Sequence, residues 1–369
     1  MRTSRGVLWF ISFSALLMVV ASPASAQFTT SQTISVGTQP RGIAIDDLNG
    51  DGNLDIVVAN SGSNTVSVLL GNGDGTYKPR ADYAAGTGPT SVEITDINHD
   101  GKKDVVVSDY VGGTVGVLLG NGNGTLQPVK TFSVGMSPES LTVGTLDNTG
   151  TVYVVVTLLS NNTVKILKWT GSGSTAALTA VSSYAVGRLP WAVEIADLNK
   201  DGFGDIVTAN TYGTNTSVLL GKGGGLFNPA VNYSFVGGGA TSVALADING
   251  DGYPDLIFPN YFGSQIITFK NNGNGTFGPV QKTPAAGSGY SIATASFQSP
   301  GVTDLIIADL NNNFIDVEFN DGNGAFHSAG HFATGTQPVY VETGDLKNNG
   351  STDAVISNLG SNSITIWYQ

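Results

Sequence analysis

Four nine-residue segments of this chain have the composition and spacing of an oxygen-lined cation site. The first, 47–55, places aspartate at positions 1, 5 and 9, asparagine at position 3 and glycine at position 6. Alternate side chains of a tight loop can turn toward one centre, and glycine at position 6 permits the sharp bend. The side-chain oxygens belong to Asp47, Asn49, Asp51, Asp55, Asp96, Asn98, Asp100, Asp104, Asp197, Asn199, Asp201, Asp205, Asp247, Asn249, Asp251 and Asp255.

The donor set indicates which ion these loops would bind. A backbone carbonyl at position 7 could join the side-chain oxygens, and the residues there are Asn53, Lys102, Phe203 and Tyr253. A relaxed shell of roughly six to eight oxygens favours Ca²⁺ over Mg²⁺. Sulfur and imidazole ligands are missing from the motif, which counts against zinc and copper. We therefore expect about four calcium sites of structural role, the alternative being solvated turns without metal.

Three further segments keep part of this pattern. The segment starting at Asp345 retains Asn349 and Asp353, but Lys347 puts an ammonium where position 3 needs an oxygen. This loop either binds a fifth calcium ion or uses the Lys347 ammonium in place of the ion. The other two segments keep Asp147 or Asp304 alone among their aspartates, and we expect no metal in either.

The same segments mark a repeat. Their first positions are spaced by 49, 49, 52, 50, 49 and 49 residues. Seven near-equal units of this length are typical of a propeller or a solenoid. The markers are Asp47, Asp96, Thr145, Asp197, Asp247, Ser296 and Asp345.

Each unit contains four candidate strands. In the first unit they cover residues 42–45, 55–59, 65–70 and 76–84, with a glycine-rich hairpin at 71–75. Four antiparallel strands repeated around an axis describe propeller blades. The last unit ends at its third strand, so we expect residues 28–36 to supply the fourth and to cover the open edge. The predicted fold is an all-β, seven-bladed propeller in one domain, 27–369.

The N-terminus predicts export. Arg2 and Arg5 precede an apolar run at 7–21, and Ala24-Ser25-Ala26 follows it. This is the layout of a secretory signal peptide covering residues 1–26, because the run is shorter than the roughly 20 residues of a spanning helix. The protein is expected to be extracellular, or periplasmic in a Gram-negative source, without membrane insertion.

Composition narrows the possible partners. The chain has no cysteine, which excludes disulfides and a lipid-anchored cysteine. Its net charge is −12, and residues 1–26 contain two arginines and no acid, so the mature chain would carry −14. This acidity argues against nucleic acid and anionic membrane surfaces as partners. We expect a monomer.

The loop motif resembles a known repeat family. Asp-x-Asn-x-Asp-Gly-x-x-Asp followed by an apolar strand, together with Phe277-Gly278-Pro279, is similar to the FG-GAP/VCBS repeats of the integrin alpha-subunit propeller and its bacterial relatives. The resemblance covers residues 28–369. It implies calcium in the complete loops, on the face opposite the main ligand surface. It also implies a module that binds proteins or glycans or accompanies enzymes.

A second group of residues is expected on that opposite face. Aromatic side chains follow the ends of several second strands or precede the first strands, and aromatic rings beside carboxamides suit sugars. The alternative is that the asparagines and aspartates there form ordinary Asx turns and that the tyrosines are simply exposed. The predicted ligand face consists of Arg41, Tyr110, Trp191, Tyr212, Tyr261 and Tyr290.

Three glutamates share another position. Glu93, Glu194 and Glu342 each stand three residues before a marker, among apolar neighbours. We expect them to face the central channel, where they either hold a cation or a basic group of a partner or are simply solvated.

There is little support in the sequence for a catalytic site. The chain shows no serine elbow, phosphate loop or zinc-binding helix, and His327 and His331 fall on one face of a predicted outer strand without an evident acid–base partner. The leading hypothesis is a secreted, calcium-binding module for adhesion to a protein or glycan. The alternatives are a propeller enzyme, such as a polysaccharide lyase or dehydratase, and a passive repeat module. A convergent set of His, Tyr, Arg and Glu at one channel end would favour the enzyme.

Overall fold

Seven four-stranded antiparallel sheets, arranged as blades around a central channel, make up the protein. The computed structural model describes residues 28–171, 173–235, 237–298 and 301–369. The expected signal peptide, 1–26, lies outside the described residues. Within them, no helix is long and apolar enough to cross a bilayer. The prediction of a seven-bladed all-β propeller is confirmed.

Each blade runs from an innermost to an outermost strand. Blades one to three contain β2 (Pro40–Asp46), β3 (Asp55–Asn60), β4 (Thr65–Leu69) and β5 (Ala81–Ala84); β6 (Pro89–Thr95), β7 (Asp104–Asp109), β8 (Thr114–Leu118) and β9 (Lys130–Ser133); β10 (Pro138–Thr145), β11 (Val152–Leu158), β12 (Thr163–Thr170) and β13 (Ala177–Ala185). Blades four to six contain β14 (Pro190–Ala196), β15 (Asp205–Asn210), β16 (Asn215–Leu219) and β17 (Val231–Ser234); β18 (Ala244–Ala246), β19 (Asp255–Asn260), β20 (Gln265–Phe269) and β21 (Gln281–Pro284); β22 (Gly289–Ala295), β23 (Asp304–Asp309), β24 (Phe314–Asn320) and β25 (Phe326–Ala333). Blade seven contains β26 (Pro338–Gly344), β27 (Asp353–Asn358), β28 (Ser363–Tyr368) and β1 (Thr30–Ser35). Short 3₁₀ turns occur at Leu159–Asn161 and Gly173–Thr175.

The ring is closed by the two ends of the described chain. Strand β1 pairs antiparallel with β28, so that Thr30 lies opposite Tyr368 and Ser35 opposite Ser363. This confirms the prediction that an N-terminal strand completes the last blade. The pairing satisfies the backbone groups of β28 that would otherwise form an open edge.

The core lies between the blades. All residues of β3 are buried, because Val57 and Ala59 pack toward blade two while Ile56 and Val58 pack toward blade seven. A strand covered on both faces needs apolar side chains on both, which explains the continuous apolar runs that follow the loops. Each of the seven hydrophobic clusters is shared by two adjacent blades.

The outer strand of blade one is shorter than predicted. It covers Ala81–Ala84, whereas the sequence pattern placed it at 76–84. The N–H of Asn72 donates to the carbonyl of Thr76 and that of Lys78 to the carbonyl of Leu70, which closes the hairpin. Pro79 has no N–H to continue the ladder, so regular pairing resumes only beyond it.

Candidate functional site

The nine-residue loops and the aromatic residues lie at opposite ends of the channel. Each innermost strand leads from one end to the other: β2 begins beside Arg41 and ends at Asp46, directly before its loop. A cavity lined by Arg41 and Trp191 marks one end, here called the mouth. A wider cavity lined by Asp46 and Asp197 marks the other end, here called the loop face.

The first aspartate of each complete loop organises the loop's backbone. Asp47 Oδ1 accepts hydrogen bonds from the N–H groups of Gly50 (2.7 Å) and Asp51 (3.1 Å), and Oδ2 accepts one from Gly52 (2.8 Å). Gly52 has a φ of 85°, a value that L-residues rarely adopt. This confirms the predicted need for glycine at position 6.

The ninth position is an internal anchor. Asp55 is fully buried, and its carboxylate accepts N–H bonds from Leu48 (3.0 Å) and Gly71 (2.7 Å). Burial, together with the charges of Asp51 and Asp47, raises the pKa of Asp55 to about 6, although the two hydrogen bonds lower it. The equivalent pairs of N–H bonds are made by Asp104, Asp205, Asp255, Asp304 and Asp353.

Position 7 joins neighbouring loops. Asn53 Oδ1 accepts a hydrogen bond of 2.8 Å from Asn348 Nδ2 of blade seven. The ammonium of Lys200 in blade four lies 4.1 Å from the ring centre of Tyr253 in blade five, a cation–π contact. These contacts link adjacent blades on the loop face.

In two incomplete loops, the residue at position 3 is bonded to other groups of the protein. In blade three, the hydroxyl of Tyr153 donates to Asp147 Oδ2 (2.9 Å), and Gly224 N–H of blade four donates to the same atom (3.1 Å). In blade seven, Lys347 Nζ donates to the carbonyl of Gln369 at 3.0 Å. The ammonium thus bonds the chain beyond β28.

The chemistry of the complete loops suits a hard cation. All their side-chain donors are oxygens, and the carboxylates of Asp47, Asp51 and Asp55 lie close enough for the first two to raise the pKa of the third. A bound cation would oppose this repulsion. The described residues contain no group of three or more His, Asp or Glu side chains already arranged as metal ligands. Binding would therefore involve inward turning of the side chains at positions 1, 3 and 5.

A ring of seven residues lines the mouth, each six positions before a loop marker. Three of its members were predicted for the ligand face, and the sequence analysis missed the others. Their fixed distance from the markers is the signal that would have identified them. The ring consists of Arg41, Thr90, Glu139, Trp191, Thr241, Tyr290 and Val339.

Aromatic rings continue outward from the mouth across blades four to six. Tyr290 packs edge-to-face against Trp191 (centroids 6.5 Å apart) and against Tyr261 (5.6 Å). Phe262 contacts Tyr261 at 5.1 Å and Tyr212 at 5.8 Å. We call these five residues the aromatic row. Its outer members Tyr212 and Phe262 are more than half exposed, at 57% and 53%.

Tyr110, also predicted for this face, stands outside the aromatic row. It lies in the corresponding turn of blade two and is 37% exposed, with exposed Val111 beside it. The asparagines that end the second strands are turn residues: Asn60 is buried and its amide donates to Thr65 and Ser67.

An ion pair joins blades one and three beside the row. Arg41 Nη1 lies 3.2 Å from Glu139 Oε1. Burial raises the pKa of Glu139 to about 7, while the Arg41 charge lowers it. Burial raises the pKa of Tyr290 to about 12, and the charges of Arg41 and Glu139 act on it in opposite directions. The mouth thus brings Arg, Glu and Tyr side chains together.

The outer strand of blade six differs from the sequence interpretation. A β-bulge places His327 opposite Phe319 and His331 opposite Asp316, so the two imidazoles lie on opposite faces. His331 Nδ1 is 2.9 Å from Asp316 Oδ1, so an acid partner exists. Glu318 is buried on the same side as Asp316, and among the described residues neither of its carboxyl oxygens has a hydrogen-bond partner.

Four overlapping segments, 47–107, 96–156, 146–208 and 204–258, match the family described as FG-GAP-like repeat. Together they run from residue 47 to residue 258, more than half of the 369 residues. Comparison with curated proteins finds none that matches.

Several solved structures share the fold. Virginiamycin B lyase from Staphylococcus aureus has a TM-score of 0.63 at 12% identity, covering 92% of this chain and 99% of its own. BBS1N, solved in complex with ARL6DN, has a TM-score of 0.65 at 10% identity, covering 93% and 97%. An Agrocybe aegerita lectin that recognises non-reducing terminal N-acetylglucosamine has a TM-score of 0.55 at 19% identity, covering 89% and 86%. At these identities the likeness shows the fold alone.

Proposed function

Because this chain belongs to the FG-GAP-like repeat family, we propose that it is a secreted, calcium-stabilised propeller that binds a glycan at the mouth of its channel. The observation that carries the proposal is the aromatic row beside the Arg41–Glu139 ion pair. Sugar rings present apolar C–H faces to aromatic rings and hydroxyls to charged groups. The mouth offers both kinds of partner within one surface.

The exposure of the row supports this surface role. Aromatic rings that serve packing alone are buried, as Phe235 and Phe258 are between blades four and five. Tyr212 and Phe262 instead expose about half of their surface next to the mouth. Large exposed apolar groups that cluster with polar neighbours commonly mark an interaction site. The structural neighbour that recognises non-reducing terminal N-acetylglucosamine, the Agrocybe aegerita lectin, supports the proposal.

Calcium enters this proposal as a stabilising ion on the loop face. The oxygens at positions 1, 3 and 5 of the four complete loops would hold it, with the anchored carboxylates at position 9 beside them. An ion that binds the folded loop alone stabilises the fold by about 1–3 kcal/mol per site at ten- to hundred-fold saturation. Since a loop also contacts its neighbours, as Lys200 contacts Tyr253, the ion would strengthen the junctions between blades.

A glycan array probed in calcium buffer tests the function. We expect binding that Trp191→Ala and Tyr261→Ala each weaken at least about tenfold, which corresponds to one lost aromatic contact of about 1.4 kcal/mol. Leu226→Ala, at an apolar residue 52% exposed in the hairpin between β16 and β17, is the matched control and should bind normally. Glycan binding that survives both aromatic substitutions would refute the site. Absence of any glycan ligand would favour a protein partner or a passive module.

A second candidate is an elimination reaction on an acidic polysaccharide. Arg41, Glu139 and Tyr290 converge at one channel end, which is most of the set that would favour an enzyme. Arg41 would bind the substrate carboxylate, Glu139, with its pKa near neutrality, would accept the proton from the adjacent carbon, and Tyr290 would protonate the glycosidic oxygen as its bond to the sugar ring breaks. Incubation with uronate polysaccharides, followed by the ultraviolet absorbance of an unsaturated product, tests this. No product from wild type, or equal product from Glu139→Gln, would exclude it.

A further inference from the structure

Tyr340 is the one large side chain at its register on the innermost strands. Five positions before the loop marker, six blades carry glycine, alanine or serine on the innermost strand, while blade seven carries tyrosine; the residues are Gly42, Ser91, Ser140, Ala192, Ser242, Ser291 and Tyr340. Tyr340, Glu93 and Glu194 line both the mouth cavity and the wider cavity toward the loop face, whereas Glu342 lines the wider cavity. This wider cavity, here called the inner cavity, has a volume of about 700 Å³.

Three carboxyl groups converge on the inner cavity. Glu93 on β6, Glu194 on β14 and Glu342 on β26 occupy the same register in their blades and line it together. Among the described residues that line this cavity there is no lysine, arginine or histidine. Asp46, nearer the loop face, is neutralised by Lys103 at 2.7 Å, whereas the three glutamates have no such partner in the described part of the chain.

The three groups affect one another. Burial, followed by the charge of Glu342, raises the pKa of Glu194 to about 8. Burial raises the pKa of Glu342 to about 7. Glu93 has a pKa well above its usual range through burial and the charges of the other two. Such groups favour a cation that relieves both burial and repulsion.

The hydroxyl of Thr142 lies at the level of the three glutamates. Thr142 is only 6% exposed and borders the inner cavity in the register of the three glutamates. Within the described residues its hydroxyl makes no hydrogen bond, and since it is not among their buried unpaired polar atoms, it is open to the cavity. The neighbouring threonine at the mouth, Thr90, donates to the carbonyl of Glu139 at 2.6 Å. Thr142 therefore presents a free acceptor and donor to whatever occupies the cavity.

The chemistry of this cavity identifies its ligand class. The glutamates, like the loop aspartates, are not already arranged around a single metal ion in the described residues. A primary ammonium has three donors that can reach separate acceptors, and its alkyl chain suits the apolar walls formed by Ile43, Val143 and Ile195. We propose that the inner cavity binds a primary ammonium group on an alkyl chain, which enters from the loop face and ends among Glu93, Glu194 and Glu342. Its source is a small diamine or a lysine side chain.

Calorimetric titration of the full mature chain in saturating calcium tests the proposal. The probes are 1,5-diaminopentane, Nα-acetyl-lysine amide and 1,5-pentanediol, which matches the diamine in length without its charge. We expect an amine to bind and the diol not to bind. Tighter binding of the diamine identifies a small amine as the source, and tighter binding of the lysine derivative identifies a peptide side chain. Failure of both amines to bind would overturn the proposal.

Variants locate the site. Glu194→Gln should weaken amine binding about tenfold, as expected for one lost charge-assisted bond, and the triple variant Glu93→Gln/Glu194→Gln/Glu342→Gln should abolish it. Because these substitutions remove partly buried carboxyl groups that disfavour one another's ionisation, the melting temperature should not fall. Asp321→Asn, an exposed acid of blade six, controls for net charge and should bind like wild type. Amine binding by the triple variant would refute the assignment. Trp191→Ala should leave amine binding unchanged, which separates this site from the glycan site.

Discussion

Asp304 allows the anchoring role of the ninth loop position to be measured without calcium. Its loop, in blade six, keeps no other carboxylate, yet Asp304 is fully buried like its equivalents. Oδ2 accepts the N–H of Phe297 (2.9 Å), and Oδ1 accepts the N–H of Asn320 (3.0 Å) and the amide of Gln298 (2.9 Å). The carboxylate thus ties the start of the loop to the end of β24.

Asp304→Asn keeps the shape of the side chain and removes one acceptor. Whichever oxygen becomes the amide nitrogen, at least one backbone N–H then faces a donor: that of Asn320 at the Oδ1 position, or those of Phe297 and Gln298 at the Oδ2 position. A hydrogen bond to a charged acceptor contributes about 1.5–3 kcal/mol, and an unsatisfied buried donor costs a similar amount. We expect a loss of about 2–3 kcal/mol. With an unfolding entropy of about 2.1 cal/mol/K per residue over some 340 residues, the melting temperature should fall by about 3–4 °C.

The assay is thermal and urea unfolding with calcium and with chelator. The loss should be the same in both, because the contacts of Asp304 involve no ion. Asp321→Asn, an exposed residue of the same blade, is the control and should change stability by less than about 0.5 kcal/mol. A variant that melts like wild type, or one whose loss appears in calcium alone, would refute the anchoring role.

Three further predictions concern the loops and the buried acid of blade six. Chelation should lower the melting temperature, and Asp51→Ala should lower it by a smaller amount because one site of about 1–3 kcal/mol is lost; an unchanged melt in chelator would contradict calcium binding. Tyr153→Phe should cost about 1 kcal/mol in urea unfolding with or without calcium, since it removes the hydrogen bond to Asp147; a calcium-dependent cost would contradict this. Burial, then the charge of Asp316, raises the pKa of Glu318, so the folded state retains a proton that the unfolded state releases near pH 4.3. Wild-type stability should therefore fall as pH rises above that value, and Glu318→Leu should reduce the fall between pH 5 and pH 8 as measured by urea midpoints; identical pH slopes would contradict it.

The repeat register was enough to predict the fold. Each loop joins the innermost strand to the second strand of its blade, so equal spacing of the markers implies equal blades. The closing strand was predictable for the same reason, because the seventh unit lacks a fourth strand that residues 28–36 could supply. The length of β5 was not predictable, because it depends on how the hairpin before Pro79 closes.

The mouth was predictable in part. Arg41, Trp191 and Tyr290 were chosen for their chemistry; Glu139 stands at the same register, but its pairing with Arg41, 98 residues away, was not predictable. The two meet because blades one and three face the same channel, which local patterns do not show. The prediction that His327 and His331 share one face was wrong, because the bulge in β25 shifts the alternation of side chains between them.

Closure of the ring by β1 and β28 has a consequence for the order of folding. Strand β1 precedes every other strand and β28 follows every other, so blade seven cannot assemble until nearly the whole chain has emerged. Until then Ile56 and Val58 of blade one lack their partners Val355 and Ile364. Contacts between such distant segments form slowly because a long loop must close first. Ring closure should therefore be the last and slowest folding step, and an exported chain would require its incomplete flank to be shielded until that step.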